Sequence, residues 1–161
     1  MKNLFNWMFN PPIEGNKEII ILRLMAGVVF FWEGIIKFVF ANQGVGRFTK
    51  LGFPFPDFTA HAVATYEIVG GLLLIFGLLT RFASILFVIQ MIVAILSTKI
   101  SLYLGTSPLP LPPALPKVGF YAVLHESRAD YAQLLTSLFF VYVGAGVWSL
   151  DNYFRKKKIM V

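Results

Sequence analysis

No cysteine occurs in this chain. Its absence removes disulfides, thiol relays and thiolate-held iron–sulfur clusters from the available chemistry. Charge is sparse as well, at 14% of 161 residues. Histidine occurs only at His61 and His125. Both fall near the ends of apolar segments, whereas haem held by two histidines needs them at mid-membrane on facing helices. There is no zinc-ligand spacing, no nucleotide-binding glycine loop and no Ser-His-Asp arrangement. No haem, metal or flavin site is indicated.

What remains is apolar. Hydrophobic residues make up 57% of the chain and mean hydropathy is +0.72, well above a soluble globular protein. A membrane helix needs about 20 apolar residues, so four spans use most of the chain. The expected spans are 17–41, 59–79, 82–104 and 129–150. The fold class is therefore an all-α membrane protein, a four-transmembrane-helix bundle in one domain, 1–161. Thr80-Arg81 reads as a very short turn between spans two and three. Loops 42–58 and 105–127 share one side, and the second is stiffened by Pro108, Pro110, Pro112, Pro113 and Pro116.

Basic residues set the orientation. Lys2, Lys17, Arg81 and the run Arg155–Lys158 fall on one side; Arg47, Lys50, Lys117 and Arg128 fall on the other. The first set is larger, so both termini are expected in the cytoplasm of a cell with this inner, cytoplasmic membrane. A basic cluster tethered to a bilayer is an anchor, and nucleic acid is not an expected partner. The first sixteen residues do not resemble a signal peptide, because Asn3, Asn6 and Asn10 interrupt the apolar run. Leu4, Phe5, Trp7, Met8 and Phe9 suggest a segment lying in the interface, stopped by Pro11-Pro12.

Against this background four charged residues stand out: Glu33, Lys37, Glu67 and Lys99, all inside predicted spans. Each costs about 2.5–3.5 kcal/mol at a helix centre. At a rise of about 1.5 Å per residue, Glu33 and Lys37 lie about 24 and 30 Å along span one. By the same rise Glu67 lies about 12 Å below the loop side, and Lys99 about 7 Å. Arg128 and Asp130 open span four on that side. Every span thus adds an ionisable group to one layer beneath the external loops. Stripes of small and polar residues agree in spans one, two and four, including Gly27 and Gly34, Ala64 and Gly71, and Asp130, Gln133 and Ser137. In span three Gln90 and Lys99 point roughly opposite ways.

Each of these groups admits two readings. Glu33 and Lys37 are either a local ion pair or part of a site, and Lys99 either snorkels or joins it. Glu67 has no basic neighbour on its own helix, so it is either a site residue or bonded to Lys37 or Lys99. His125, beside Glu126, is a further candidate for the cluster. Arg23 is expected to pair with Asp151 as a structural staple, and Gly70-Gly71 inside span two is a packing signal.

Several of these pieces recur together. Arg23-Leu24 followed by Trp32-Glu33-Gly34-Ile35-Ile36-Lys37 resembles the first helix of the DoxX family. Phe48 to Pro54 resembles its loop with a Leu-Gly-x-Pro core. Glu67-Ile68-Val69-Gly70-Gly71 through Gly77-Leu78-Leu79-Thr80-Arg81 is similar to its most recognisable block. Met91 with Ala94, and Gly144-Ala145-Gly146 with Ser149-Leu150-Asp151, fit later helices. Where the family often carries histidine, this chain has Glu33 and, late in helix three, a position near Lys99.

The resemblance implies a four-helix membrane bundle. It is similar to a small membrane subunit of thiosulfate:quinone oxidoreductase and to membrane partners in redox and oxidative-stress complexes. The resulting expectation is a quinone-interacting subunit without a redox cofactor of its own. Glu67, Glu33, Lys37 and Lys99 would supply hydrogen bonds and protons. Trp32, Phe30, Phe53 and Phe55 would wall the slot, with His125 and Asp130 nearby. Electrons would come from another membrane redox subunit, and the chain could form a homo-oligomer within the lipid bilayer. The alternatives are a non-catalytic scaffold or accessory subunit and a small-solute or proton transporter. Four helices without a visible repeat leave little room for alternating access.

Overall fold

The computed structural model describes residues 2–9 and 15–159. The expected stop at Pro11-Pro12 lies outside the described residues. Among the described residues eight helices follow one another: α1 (Lys2–Phe9), α2 (Ile19–Val39), α3 (Val45–Lys50), α4 (Pro56–Phe76), α5 (Thr80–Leu104), α6 (Phe120–Glu126), α7 (Arg128–Val143) and α8 (Leu150–Ile159). Three are long and apolar enough to cross a membrane: α2, α4 and α5. Loop 42–58 contains α3, and loop 105–127 contains α6.

Two boundaries differ from expectation. The turn after span two is not Thr80-Arg81, since both residues already belong to α5. The chain turns three residues earlier, at Gly77, whose φ of +66° suits a residue without Cβ. Gly77 N–H reaches Leu74 O at 3.1 Å and Leu78 N–H reaches Leu73 O at 2.9 Å, which closes the last turn of α4. At the other end, Pro56 opens α4 with its preset φ. The fourth predicted helix, 129–150, ends at Val143. Gly144 and Gly146 take φ of +80° and +75°, a backbone no helix can continue, and α8 starts afresh at Leu150.

The helices form two pairs, α2 with α4 and α5 with α7. Small residues set the first pair. A Cβ on Gly34 would lie 2.6 Å from Ala64 O, and one on Gly27 2.8 Å from Gly71 O. Backbone therefore meets backbone, the close approach that membrane helices reach only through such residues. Phe30, Leu74, Phe87, Met91 and Phe140 fill the space between the pairs. Outward faces are apolar and exposed, as at Ile21, Met25, Ile92, Leu96 and Ile100.

At the end carrying the termini, two buried arginines secure the break after α7. Arg81 donates from Nε to Val141 O at 2.7 Å and from Nη2 to Tyr142 O at 3.2 Å. These are carbonyls of the last turn of α7, left without a helical donor. A third donation goes to Trp7 O, and the guanidinium sits 4.3 Å from the Trp7 ring centroid, which docks α1. Phe9 adds a stacked contact with Phe82 at 5.7 Å.

The expected Arg23–Asp151 staple takes another form. Arg23 donates to Trp148 O. Asp151 instead caps α5 from a distance, its carboxylate accepting Leu79 N–H at 2.8 Å and Thr80 N–H at 3.2 Å. The geometry follows from need: exposed N–H groups at a helix start attract a carboxylate strongly. Asp151→Ala is expected to cost about 1–2 kcal/mol, and Asp151→Asn less than half of that, because the amide oxygen still accepts one N–H. Thermal melting of the three proteins in one detergent checks the order.

Candidate functional site

The polar layer forms where the two helix pairs face each other. Lys37 stands on α2 one turn after Glu33, Glu67 on α4 opposite, and Gln90 on α5 between them. Lys37 Nζ lies 2.7 Å from Glu67 Oε2 and 3.0 Å from Oε1. It also reaches Glu33 Oε2 at 3.4 Å and Glu33 O at 3.3 Å. Gln90 donates its amide Nε2 to Glu67 Oε1. Glu67 is buried with 2% of its surface exposed, while the Glu33 side chain is 55% exposed. The Glu67 carboxylate thus has an ammonium and an amide donor within one buried cluster, which is what makes a charge tolerable at this depth.

A second pair closes the same layer on the other side. Lys99 Nζ on α5 meets Asp130 Oδ2 on α7 at 3.0 Å and Glu126 O at 2.9 Å. Of the two lysines, Lys37 therefore faces Glu67 and Lys99 faces α7. Gln90 and Lys99 do lie on opposite faces of α5, and each face serves a different neighbour.

Between the pairs lies a half-open cavity of about 660 Å³. Glu67, Lys37, Gln90 and Gln133 supply its polar wall, and Phe30, Phe53 and Met91 are among its apolar ones. Phe30 is buried and stacked on Phe87, ring centroids 3.5 Å apart. Asp130 and Glu33 also line the cavity, and so does Arg47 from α3 at the loop end.

Two expected wall residues, Trp32 and Phe55, and the nearby candidate His125 stand outside the cavity. Trp32 is 55% exposed and turned away from the cavity, one residue beyond the face that carries Phe30 and Glu33. Phe55 is 82% exposed, because its φ of +47° ahead of Pro56 swings it outward. His125 is exposed on α6, outside the cavity, and its carbonyl accepts from Arg128 at 2.9 Å. Lys99 reaches the cavity only through Asp130. Gly70 and Gly71 are packing positions: a Cβ on Gly70 would strike the Phe87 ring at 2.7 Å, and one on Gly71 would strike Gly27 O at 2.7 Å.

Gln90, Gln133, Tyr66 and Arg47 were not singled out as site residues in the sequence. Gln90 had a signal, as an amide in the middle of an apolar 25-residue helix. Tyr66 had none, since an aromatic beside Glu67 reads as ordinary core.

The layer can be compared with known proteins. The DoxX family model matches residues 19–100, which hold Glu33, Lys37, Glu67, Gln90 and Lys99. The chain belongs to the DoxX family. It is 39% identical over 150 residues to an uncharacterized membrane protein of Mycobacterium tuberculosis, covering 89% of this chain and 85% of that one. It is 30% identical over 139 residues to the Bacillus subtilis protein named "Putative oxidoreductase CatD", covering 86% and 88%. An uncharacterized protein of Haemophilus influenzae is 31% identical over 140 residues, covering 86% and 92%. No solved structure matches the chain. In this DoxX protein the cavity reaches past the family match to Asp130 and Gln133 of α7.

Proposed function

We propose that this chain is a quinone-interacting subunit of a membrane redox complex in a bacterial cytoplasmic membrane. The observation that carries the reading is the cavity itself: apolar and aromatic walls, with Lys37, Glu67 and Gln90 gathered at one polar side. A quinone supplies two-electron, two-proton redox chemistry. Its headgroup fits a slot of this size and needs a few polar groups near its two oxygens. Glu67 is the group placed to take up or return a proton, with Lys37 holding its carboxylate in position. Val29, Ile89 and Val93 line the cavity and are exposed, so a lipid-soluble ligand has a way in from the bilayer between α2 and α5. The name of the Bacillus subtilis relative fits this reading.

Within the proposal α7 is the fourth span. Its 16 residues extend about 24 Å, most of a hydrocarbon core of about 30 Å. The termini lie in the cytoplasm, because the basic run from Arg155 is at their end. Electrons come from a partner subunit.

A scaffold reading has one observation in its favour. The two ion pairs join helices, Lys37–Glu67 tying α2 to α4 and Lys99–Asp130 tying α5 to α7. Glu67→Gln separates the readings. It keeps the shape and the Lys37 hydrogen bond while removing the proton acceptor. Quinone-linked turnover in membranes is expected to fall about 100-fold with only a modest loss of stability, because Lys37 keeps Glu33 at 3.4 Å as a counter-charge. Unchanged turnover removes Glu67 from the mechanism. Lost assembly with no quinone bound in the parent protein favours the scaffold.

A further inference from the structure

Lys37 and the hydroxyls of the cavity wall are already engaged as donors, while two buried amide oxygens beside them have no donor. Lys37 directs its ammonium at Glu67 and Glu33. Each hydroxyl in the wall donates to a backbone carbonyl: Thr59 to Pro54 at 2.8 Å, Tyr66 to Ala83 at 3.1 Å, Ser97 to Ala94 at 3.2 Å and Thr98 to Ala94 at 2.7 Å. Gln90 must turn its NH₂ toward the Glu67 carboxylate, because a carboxylate beside an ammonium only accepts. That choice fixes which end of the amide is left over. Gln90 Oε1 is buried and has no donor, and Gln133 Oε1, on a side chain 8% exposed, is in the same position. Both side chains line the cavity, one from α5 and one from α7.

A ligand that fills the cavity therefore meets acceptors in want of donors. Oxidised and reduced carriers differ at this point. A quinone presents two carbonyl oxygens, which only accept. A hydroquinone presents two hydroxyls, which donate. We propose that the cavity selects the hydroquinone, with Gln90 Oε1 and Gln133 Oε1 accepting from its hydroxyls after small side-chain rotations. The inference rests on the quinone reading and adds which redox form the site holds. Arg47 of α3 and Gln43 just before it also line the cavity and bring further donors to it.

Leaving a buried acceptor without a donor weakens binding by about tenfold, so the reduced form is expected to bind at least tenfold more tightly. Tighter binding of the reduced form makes the bound carrier easier to reduce. A tenfold preference raises its midpoint potential by about 30 mV for a two-electron couple.

The test uses the full chain in nanodiscs, without oxygen, with decylbenzoquinone and its hydroquinone as probes. Equilibrium dialysis gives two dissociation constants, and a redox titration of the bound probe gives the potential. A hydroquinone preference of tenfold or more that drops to threefold or less in Gln90→Met or Gln133→Met supports the proposal. Equal binding of both forms by the parent protein overturns it and leaves the quinone reading standing. Failure of both forms to bind overturns the two together. Both overturning outcomes are read from the parent protein alone, so a variant that does not fold does not shield the proposal.

Discussion

Lys37→Met is expected to destabilise the protein by about 3–5 kcal/mol. The substitution keeps the length and the apolar stem of the side chain and removes only the charge. Glu67 then remains buried with Gln90 as its one polar partner among the described residues, where before it had an ammonium at 2.7 Å. Removing one member of a buried pair costs far more than the pair contributes, since the remaining charge has lost its water and gained nothing. Glu33 cannot compensate, being an acid itself and 55% exposed. The double variant Lys37→Met with Glu67→Gln is expected to recover more than half of the loss, because no buried charge is then unpaired. Reversible unfolding in mixed micelles measures both. A single-variant loss below about 1 kcal/mol would mean the pair behaves as a surface pair, and the burial argument would fail.

Gly34→Val is expected to cost about 3 kcal/mol and to weaken ligand binding with it. A Cβ at this position would lie 2.6 Å from Ala64 O and 2.9 Å from Ile68 N. Both obstacles are backbone, so no rotamer change relieves them and α2 must move away from α4. That shift also parts Lys37 from Glu67, which stand on the same two helices. Gly34→Ala is expected to show about half the loss, since it adds Cβ without the two branches. A van der Waals clash, unlike a lost cation, is not rescued by Glu67→Gln. The same unfolding assay, run with that second substitution present, therefore separates the two causes. Full stability of Gly34→Val would show that the helices cross farther apart than the glycine contacts require.

Much of the site is legible in the sequence. An ionisable side chain in an apolar segment announces itself by composition, and Glu33, Lys37, Glu67 and Lys99 were all visible in this way. Helical rise placed them in one layer, because depth along a helix is nearly independent of how the helix packs. Which of them meet was not legible. A shift of one residue rotates a side chain by about 100°, and Trp32 shows the consequence: beside Glu33 in sequence, it faces away from the cavity that Glu33 and Phe30 line. Arg23 and Asp151 show another. Their opposite charges do face one another, yet their hydrogen bonds go to a free carbonyl at Trp148 and to uncapped N–H groups at Leu79 and Thr80.

The sequence by itself determined that this is a helical membrane protein of the DoxX family with a layer of charges toward one end, because hydropathy, charge and motif order are properties of local segments. Only the tertiary structure decided that Lys37 answers Glu67 while Lys99 answers Asp130, that Gln90 joins the first pair, and that a cavity remains between α2–α4 and α5–α7. Those outcomes depend on the rotation and spacing of whole helices. They are set by contacts such as Gly27 on Gly71, Gly34 on Ala64 and Phe30 on Phe87, between residues far apart in the chain.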